Sequence, residues 1–178
     1  VGDEWGATVF MSLLEHKQNS IENINMMVLT ISDTRDEQTD KSGQLMMKLI
    51  KSHSFNVKEY KMVKDEREKI LSEVMNGIKR TEIDVILTNG GTGLSNRDVT
   101  FDVIEQVIER PIPGFGELFR MLSYEEIGSA AILSRAMGGI AKGTVIFSTP
   151  GSTGAVKLAM EKLILPELSH IIKEIRKD

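Results

Sequence analysis

The sequence predicts an α/β domain: a mostly parallel sheet, with one antiparallel strand, covered by helices on both faces. Three observations lead there. Short aliphatic runs alternate with helical stripes along most of the chain, as a strand–helix repeat requires. Two of these runs end in glycine-rich loops, Gly90–Gly93 and Pro150–Gly154, and a helical pattern follows each. No long linker, low-complexity tract or internal repeat interrupts the order.

The elements follow from their residues. Asn25–Ile31 is apolar throughout most of its length and reads as a buried strand. Asp40–His53 is a helix with Leu45, Met46, Leu49 and Ile50 on one face. Asn56–Val63 is a second strand. Asp65–Arg80 is a helix, its stripe formed by Ile70, Leu71, Val74 and Ile78. Ile83–Thr88 is short, aliphatic and ends at the first glycine loop. Val99–Ile108 repeats the helical spacing through Val103, Ile104, Val107 and Ile108. Pro111 and Pro113 break the chain before a helix at Phe115–Ile127. Ala136–Ile140 and Thr144–Ser148 are strands joined tightly at Lys142-Gly143, which makes that pair antiparallel. Gly154–Leu163 is helical, with an interruption at Pro166 and a last helix over Glu167–Lys177.

Composition narrows the function. The chain has 178 residues, enough for one domain with a real core, read here as residues 25–178. A formal net charge of -4 argues against a nucleic-acid partner, which needs a basic face. Without cysteine, disulfides, zinc–thiolate sites and thiol nucleophiles are excluded. No segment reads as a membrane span. Ala7–Leu14 is a short apolar run preceded by Asp3 and Glu4, not by the positive charge of a secretory signal. The expected location is therefore cytoplasmic. Residues 1–24 read as a peripheral tail, in which Met11 is a candidate natural start.

In a parallel sheet, ligands sit beyond the carboxyl ends of the strands. Both glycine loops fall at such ends, and so does the loop Ser32-Asp33-Thr34-Arg35. Gly90, Gly91, Thr92 and Gly93, like Pro150, Gly151 and Ser152, let backbone N–H groups turn toward an anion. The spacing matches neither the Walker loop nor the dinucleotide fingerprint. Asp98 follows the first loop and reads as a helix cap or as a magnesium ligand. On spacing alone Asp65 is an N-cap, with Glu68 completing a near capping box. Arg97, Arg135 and Lys157 are the candidate cations, and the Ser152 hydroxyl suits a phosphate better than a nucleophile's role. The three histidines have no metal-ligand spacing.

With these motifs in hand, the chain resembles the MoaB/MogA family of molybdenum cofactor biosynthesis, closer to MoaB. The matching segments, in family order, are Leu29–Arg35, Thr39–Gly43, Val63–Glu66, Leu87–Gly93, Arg97–Thr100, Pro113–Glu117, Leu133–Arg135 and Thr149–Ser152. The resemblance implies a three-layer α/β/α domain that binds molybdopterin and ATP. It implies magnesium-dependent transfer of AMP to the terminal phosphate of molybdopterin, with a non-catalytic molybdopterin carrier as the alternative. It makes Asp98 and Asp65 catalytic: Asp98 holds magnesium, and Asp65 joins it or orients its water shell. It adds Ser32, Asp33, Thr88, Glu117 and Ser134 to the substrate-binding set, and it implies a homotrimer or homohexamer.

Overall fold

β1 (Asn25–Ile31) is the centre around which the chain organises, in a computed structural model that describes residues 23–177. The proposed tail, including Met11 and the Ala7–Leu14 run, lies almost entirely outside the described residues. Ile24, assigned to that tail, is fully buried.

α1 (Lys41–Ser52) leads to β2 (Asn56–Val63), and α2 (Arg67–Lys79) leads on to β3 (Val85–Asn89). α3 (Thr100–Val107), the two-residue β4 (Arg110–Pro111) and α4 (Pro113–Ile127) follow. A 3₁₀ stretch, Gly128–Leu133, precedes β5 (Met137–Ala141) and β6 (Thr144–Thr149). The chain closes with α5 (Thr153–Ala159), a π-helical stretch (Met160–Ile164) and α6 (Leu165–Ile175).

The six strands form one sheet in the order β2-β1-β3-β6-β5-β4. β2, β1, β3 and β6 are mutually parallel neighbours, and β5 runs against both β6 and β4. One strand is therefore reversed, as expected. The tight turn behind that reversal contains Lys142 and Gly143, both at positive φ.

Alternation along the strands supplies two cores. Met26 and Val28 of β1 pack with Met46 and Ile50 of α1, Phe119 of α4, Val156 of α5 and Leu168 of α6. Met27, Leu29 and Ile31 face the other way, onto Ile70 and Val74 of α2 and Val103 and Ile104 of α3. Helices thus cover both faces of the sheet, which makes three layers α/β/α.

Two expectations about prolines change. Pro113 starts α4, where a missing N–H removes no helical bond. Pro166 does not interrupt the last helical region, because it sits in the first turn of α6 and the π-helical stretch absorbs the change in pitch. Pro111 lies in the edge strand β4, a position that tolerates a missing donor.

The connection after β1 carries α1 to one face, and the connection after β3 carries α3 to the other. The strand order thus opens a crevice between the carboxyl ends of β1 and β3. This point could not be read from the sequence, because lateral strand order is set by non-local pairing.

Candidate functional site

A cavity of about 570 Å³ occupies that crevice. All three predicted loops line it: Ser32–Arg35 after β1, Gly90–Gly93 after β3, and Pro150–Ser152 after β6. Asp65 and Asp98 line it as well. The two glycine loops are tied together, with Gly90 N–H donating to the Thr149 carbonyl at 3.1 Å.

The first glycine loop needs its glycines. Gly90 and Gly91 have φ of +97° and +65°, a region open to glycine and strained for side chains. Among the described residues, the N–H groups of Gly91, Thr92 and Gly93 have no protein acceptor. Three consecutive unspent amides beside an open cavity are suited to an oxyanion.

The acids hold the loops in place. Asp33 accepts from the Asp65 backbone N–H at 3.1 Å and from the Arg97 guanidinium at 2.7 Å, so one side chain links the loops after β1, β2 and β3. The Arg97 contact, then the Asp65 N–H, holds its carboxyl below the usual carboxylate range. Asp65 is not a cap. The N-cap of α2 is Glu66, without a side-chain bond, and the Asp65 carboxylate reaches across the crevice to the Val99 N–H at 3.3 Å. Burial pushes its pKa up, and the nearby charges of Asp98 and Asp33 push in the same direction. Asp98 does not cap α3 either. Its Oδ2 accepts from the Ser95 N–H at 3.0 Å and the Ser95 hydroxyl at 2.6 Å, which closes the loop behind it.

A divalent cation is the group that the family likeness implies here. Among the described residues, no group of three or more His, Cys, Asp or Glu side chains could hold a metal by itself. Two acids on one wall, one of them with its charge disfavoured by the other, nevertheless suit magnesium shared with phosphate oxygens. That ion takes only one or two protein carboxylates in such sites. The residues fit a substrate-borne magnesium, which Asp98 and Asp65 would hold from the protein side.

Several predicted residues are placed elsewhere or occupied otherwise. Arg97 is exposed and bound to Asp33. Arg135 points at backbone, donating to the carbonyls of Thr92, Gly93 and Asp98 at 3.3, 2.6 and 2.9 Å, with its guanidinium over the Phe101 ring. It braces the loop from outside. Arg135→Ala is expected to lower stability by about 2 kcal/mol through these charge-assisted bonds; thermal unfolding checks it, and an unchanged melting temperature would refute the bracing role. Ser32 and Ser152 line the cavity, but each hydroxyl accepts a local backbone N–H, from Arg35 at 3.0 Å and Ala155 at 3.2 Å. Thr88 is fully buried within β3 and does not line the cavity. Glu117 lies in a neighbouring cleft of about 290 Å³, with Arg120 and Arg135. Ser134 lines both spaces. Lys157 is exposed on α5 and does not line the cavity.

One cation was missed. Arg35 lines the cavity, and its guanidinium bonds the fully buried Asp40 at 2.9 Å. The available signal was Arg35 itself, at the end of the loop Ser32–Arg35, with an acid five residues on.

Fold and site together define an α/β protein with a cavity at the topological switch of the sheet. The family described as "Probable molybdopterin binding domain" matches residues 27–170, and the chain belongs to that family. It is 51% identical over 169 residues to the molybdenum cofactor biosynthesis protein B of Bacillus subtilis strain 168, covering 94% of this chain and 99% of that protein. A crystal structure of a molybdenum cofactor biosynthesis protein B superposes with a TM-score of 0.85 at 52% identity, covering 88% of this chain and 98% of the other. The tungsten cofactor synthesizing protein MoaB from Pyrococcus furiosus superposes with a TM-score of 0.80 at 37% identity, covering 89% and 100%. These likenesses place the chain among the molybdenum and tungsten cofactor biosynthesis proteins, on the MoaB side. Among the described residues, no helix is long and apolar enough to cross a membrane.

Proposed function

We propose that this chain binds molybdopterin in the rim cavity and, with ATP and magnesium, transfers AMP to its terminal phosphate. The observation that carries this reading is the meeting of two glycine loops and two carboxylates, Asp65 and Asp98, around one space. The loops suit phosphate oxygens, and the paired acids suit the cation that accompanies ATP. The relatives' names support the molybdopterin half of the proposal.

The chemistry asks little proton transfer of the protein. A phosphate monoester is largely ionised at neutral pH, so its oxygen can attack without a base. That oxygen bonds the α-phosphorus of ATP, the bond to the β-phosphate oxygen breaks, and pyrophosphate leaves. The obstacle is the approach of two polyanions. The amides of Gly91–Gly93 offset part of that repulsion and fix the orientation of the phosphates. Asp98 and Asp65 would hold magnesium, which when bound supplies positive charge to the phosphate oxygens.

Incubation of the full chain with molybdopterin, ATP and magnesium tests the proposal. Adenylylated molybdopterin supports it. Tight molybdopterin binding with no product would instead establish a carrier.

The assembly we propose is a homotrimer or homohexamer. Leu118, Met121, Tyr124 and Ile127 on α4 are exposed, and Ile132 and Leu133 follow them, with Ile132 81% exposed. An apolar surface of this kind suits a covered interface. Ile132→Asp is expected to shift the mass measured by light scattering toward the monomer; an unchanged mass would place the interface elsewhere.

A further inference from the structure

The cavity is electrically polarised. Along the first glycine loop, a Cβ added at Gly91 would meet the Asp65 carboxylate at 2.9 Å, and one added at Gly93 would meet that of Asp98 at 2.7 Å. At the other end of the loop the neighbour is a cation. A Cβ at Gly90 would meet the Ile31 carbonyl oxygen first and then Nη2 of Arg35 at 3.1 Å, and a Cβ at Gly151 would meet the same Nη2 at 3.0 Å. Two glycines from two separate loops therefore make room for one guanidinium.

That guanidinium is held from behind. Nη1 donates to Oδ1 of Asp40 at 2.9 Å and to the Asn89 side-chain oxygen at 3.3 Å. Asp40 is fully buried, and its other contacts are the Gly43 N–H at 3.0 Å and the Tyr60 hydroxyl at 2.6 Å. Nη2 makes one long contact, 3.4 Å, to the Ile31 carbonyl. Among the described residues, Nε–H and the second Nη2 proton have no protein acceptor. Nε and Nη2 form one edge of the planar group, an edge that can grip an oxyanion in bidentate fashion.

We infer that Arg35 is the cation that binds a phosphate oxyanion at the seam of the Gly90 and Gly151 loops, with Asp40 as the residue that positions it. The inference rests on the reading of the cavity as a phosphate-ligand site, and it gives that site a direction. A phosphate without a metal lies at the Arg35 end. The metal-bearing polyphosphate lies at the Asp65–Asp98 end. Burial explains the device: a free arginine at the rim would sample many rotamers, whereas one tied to a buried carboxylate is oriented before the ligand arrives.

Titration of the full chain with inorganic phosphate, without magnesium, tests this. Arg35→Gln alone would leave Asp40 buried and unpaired and could unfold the rim, so the informative variant is the neutral pair Arg35→Gln with Asp40→Asn. In that folded double variant the phosphate dissociation constant is expected to rise about tenfold or more, and Arg35→Lys is expected to fall between it and the wild type. Wild-type phosphate affinity in the double variant, with an unchanged circular dichroism spectrum, would overturn the inference, as would a wild type that binds no phosphate. A parallel assay with molybdopterin, ATP and magnesium separates the two readings. Arg35-dependent phosphate binding without adenylylated product sinks the transferase and leaves Arg35 in place. Product formed with unchanged KM values by the double variant sinks the Arg35 assignment and leaves the transferase.

Discussion

Asp98→Asn is expected to lower the rate of AMP transfer by about a hundredfold or more, the scale of losing one charge-stabilising group at a reacting phosphate. Molybdopterin affinity should stay close to that of the wild type. The substitution is well posed because of what Asp98 does in the fold. Its Oδ2 closes the loop by accepting from the Ser95 N–H and hydroxyl. An asparagine oxygen can accept the same bonds, so the loop keeps its shape while the negative charge is lost. A rate close to wild type would remove Asp98 from the chemistry. A parallel collapse of molybdopterin binding would assign it a structural task instead. Chelation provides an independent arm: EDTA should abolish product formation in the wild type and leave its melting temperature unchanged, since among the described residues no side-chain cluster holds a metal alone.

The distribution of what could be read in advance has a physical logic. β1 and β2 have the predicted bounds, because aliphatic runs closed by polar turns are local signals. The three loops at the rim followed from the same alternation. Their side chains did not. Arg97 closely follows the first glycine loop in sequence and Arg135 lies far beyond it, yet the near one is bound to Asp33 and the distant one to the loop's own backbone carbonyls. Proximity along the chain does not fix where a long side chain points. Arg35 was obscured by neighbouring acids, Asp33, Asp36 and Glu37, and its partner Asp40 reads only as the first residue of a helix, where the structure makes it the N-cap of α1. The contact with Tyr60 could not be read locally, because it comes from β2, twenty residues away. Asp65 misled in the opposite sense. Its spacing to Glu68 imitates a capping box, but α2 starts at Arg67, and Asp65 is left to bond Val99 across the crevice.

Gly91→Val should abolish ligand binding at the rim and destabilise the domain as well. The backbone at Gly91 has φ of +65°, where a β-branched residue is strained by about 1–3 kcal/mol before any contact is considered. A Cβ there would stand 2.1 Å from the Thr100 hydroxyl oxygen and 2.9 Å from the Asp65 carboxylate. Neither neighbour can yield freely. Thr100 is fully buried at the start of α3 and its N–H donates to the Gly91 carbonyl at 3.1 Å, so pushing it moves the helix that follows the loop. Asp65 is linked through its own N–H to Asp33, and Asp33 to Arg97. Displacement of Gly91 therefore spreads to all the loops that carry acids, and it rotates the amides of Gly91–Gly93 out of register with a bound oxyanion. The expected result is a melting temperature lowered by several degrees together with loss of molybdopterin binding below the unfolding transition. Gly91→Ala separates the causes. It has the same Cβ contacts without branching, so it should show the binding defect with a smaller loss of stability. Molybdopterin binding by Gly91→Ala equal to wild type would mean that the first glycine loop does not touch the ligand.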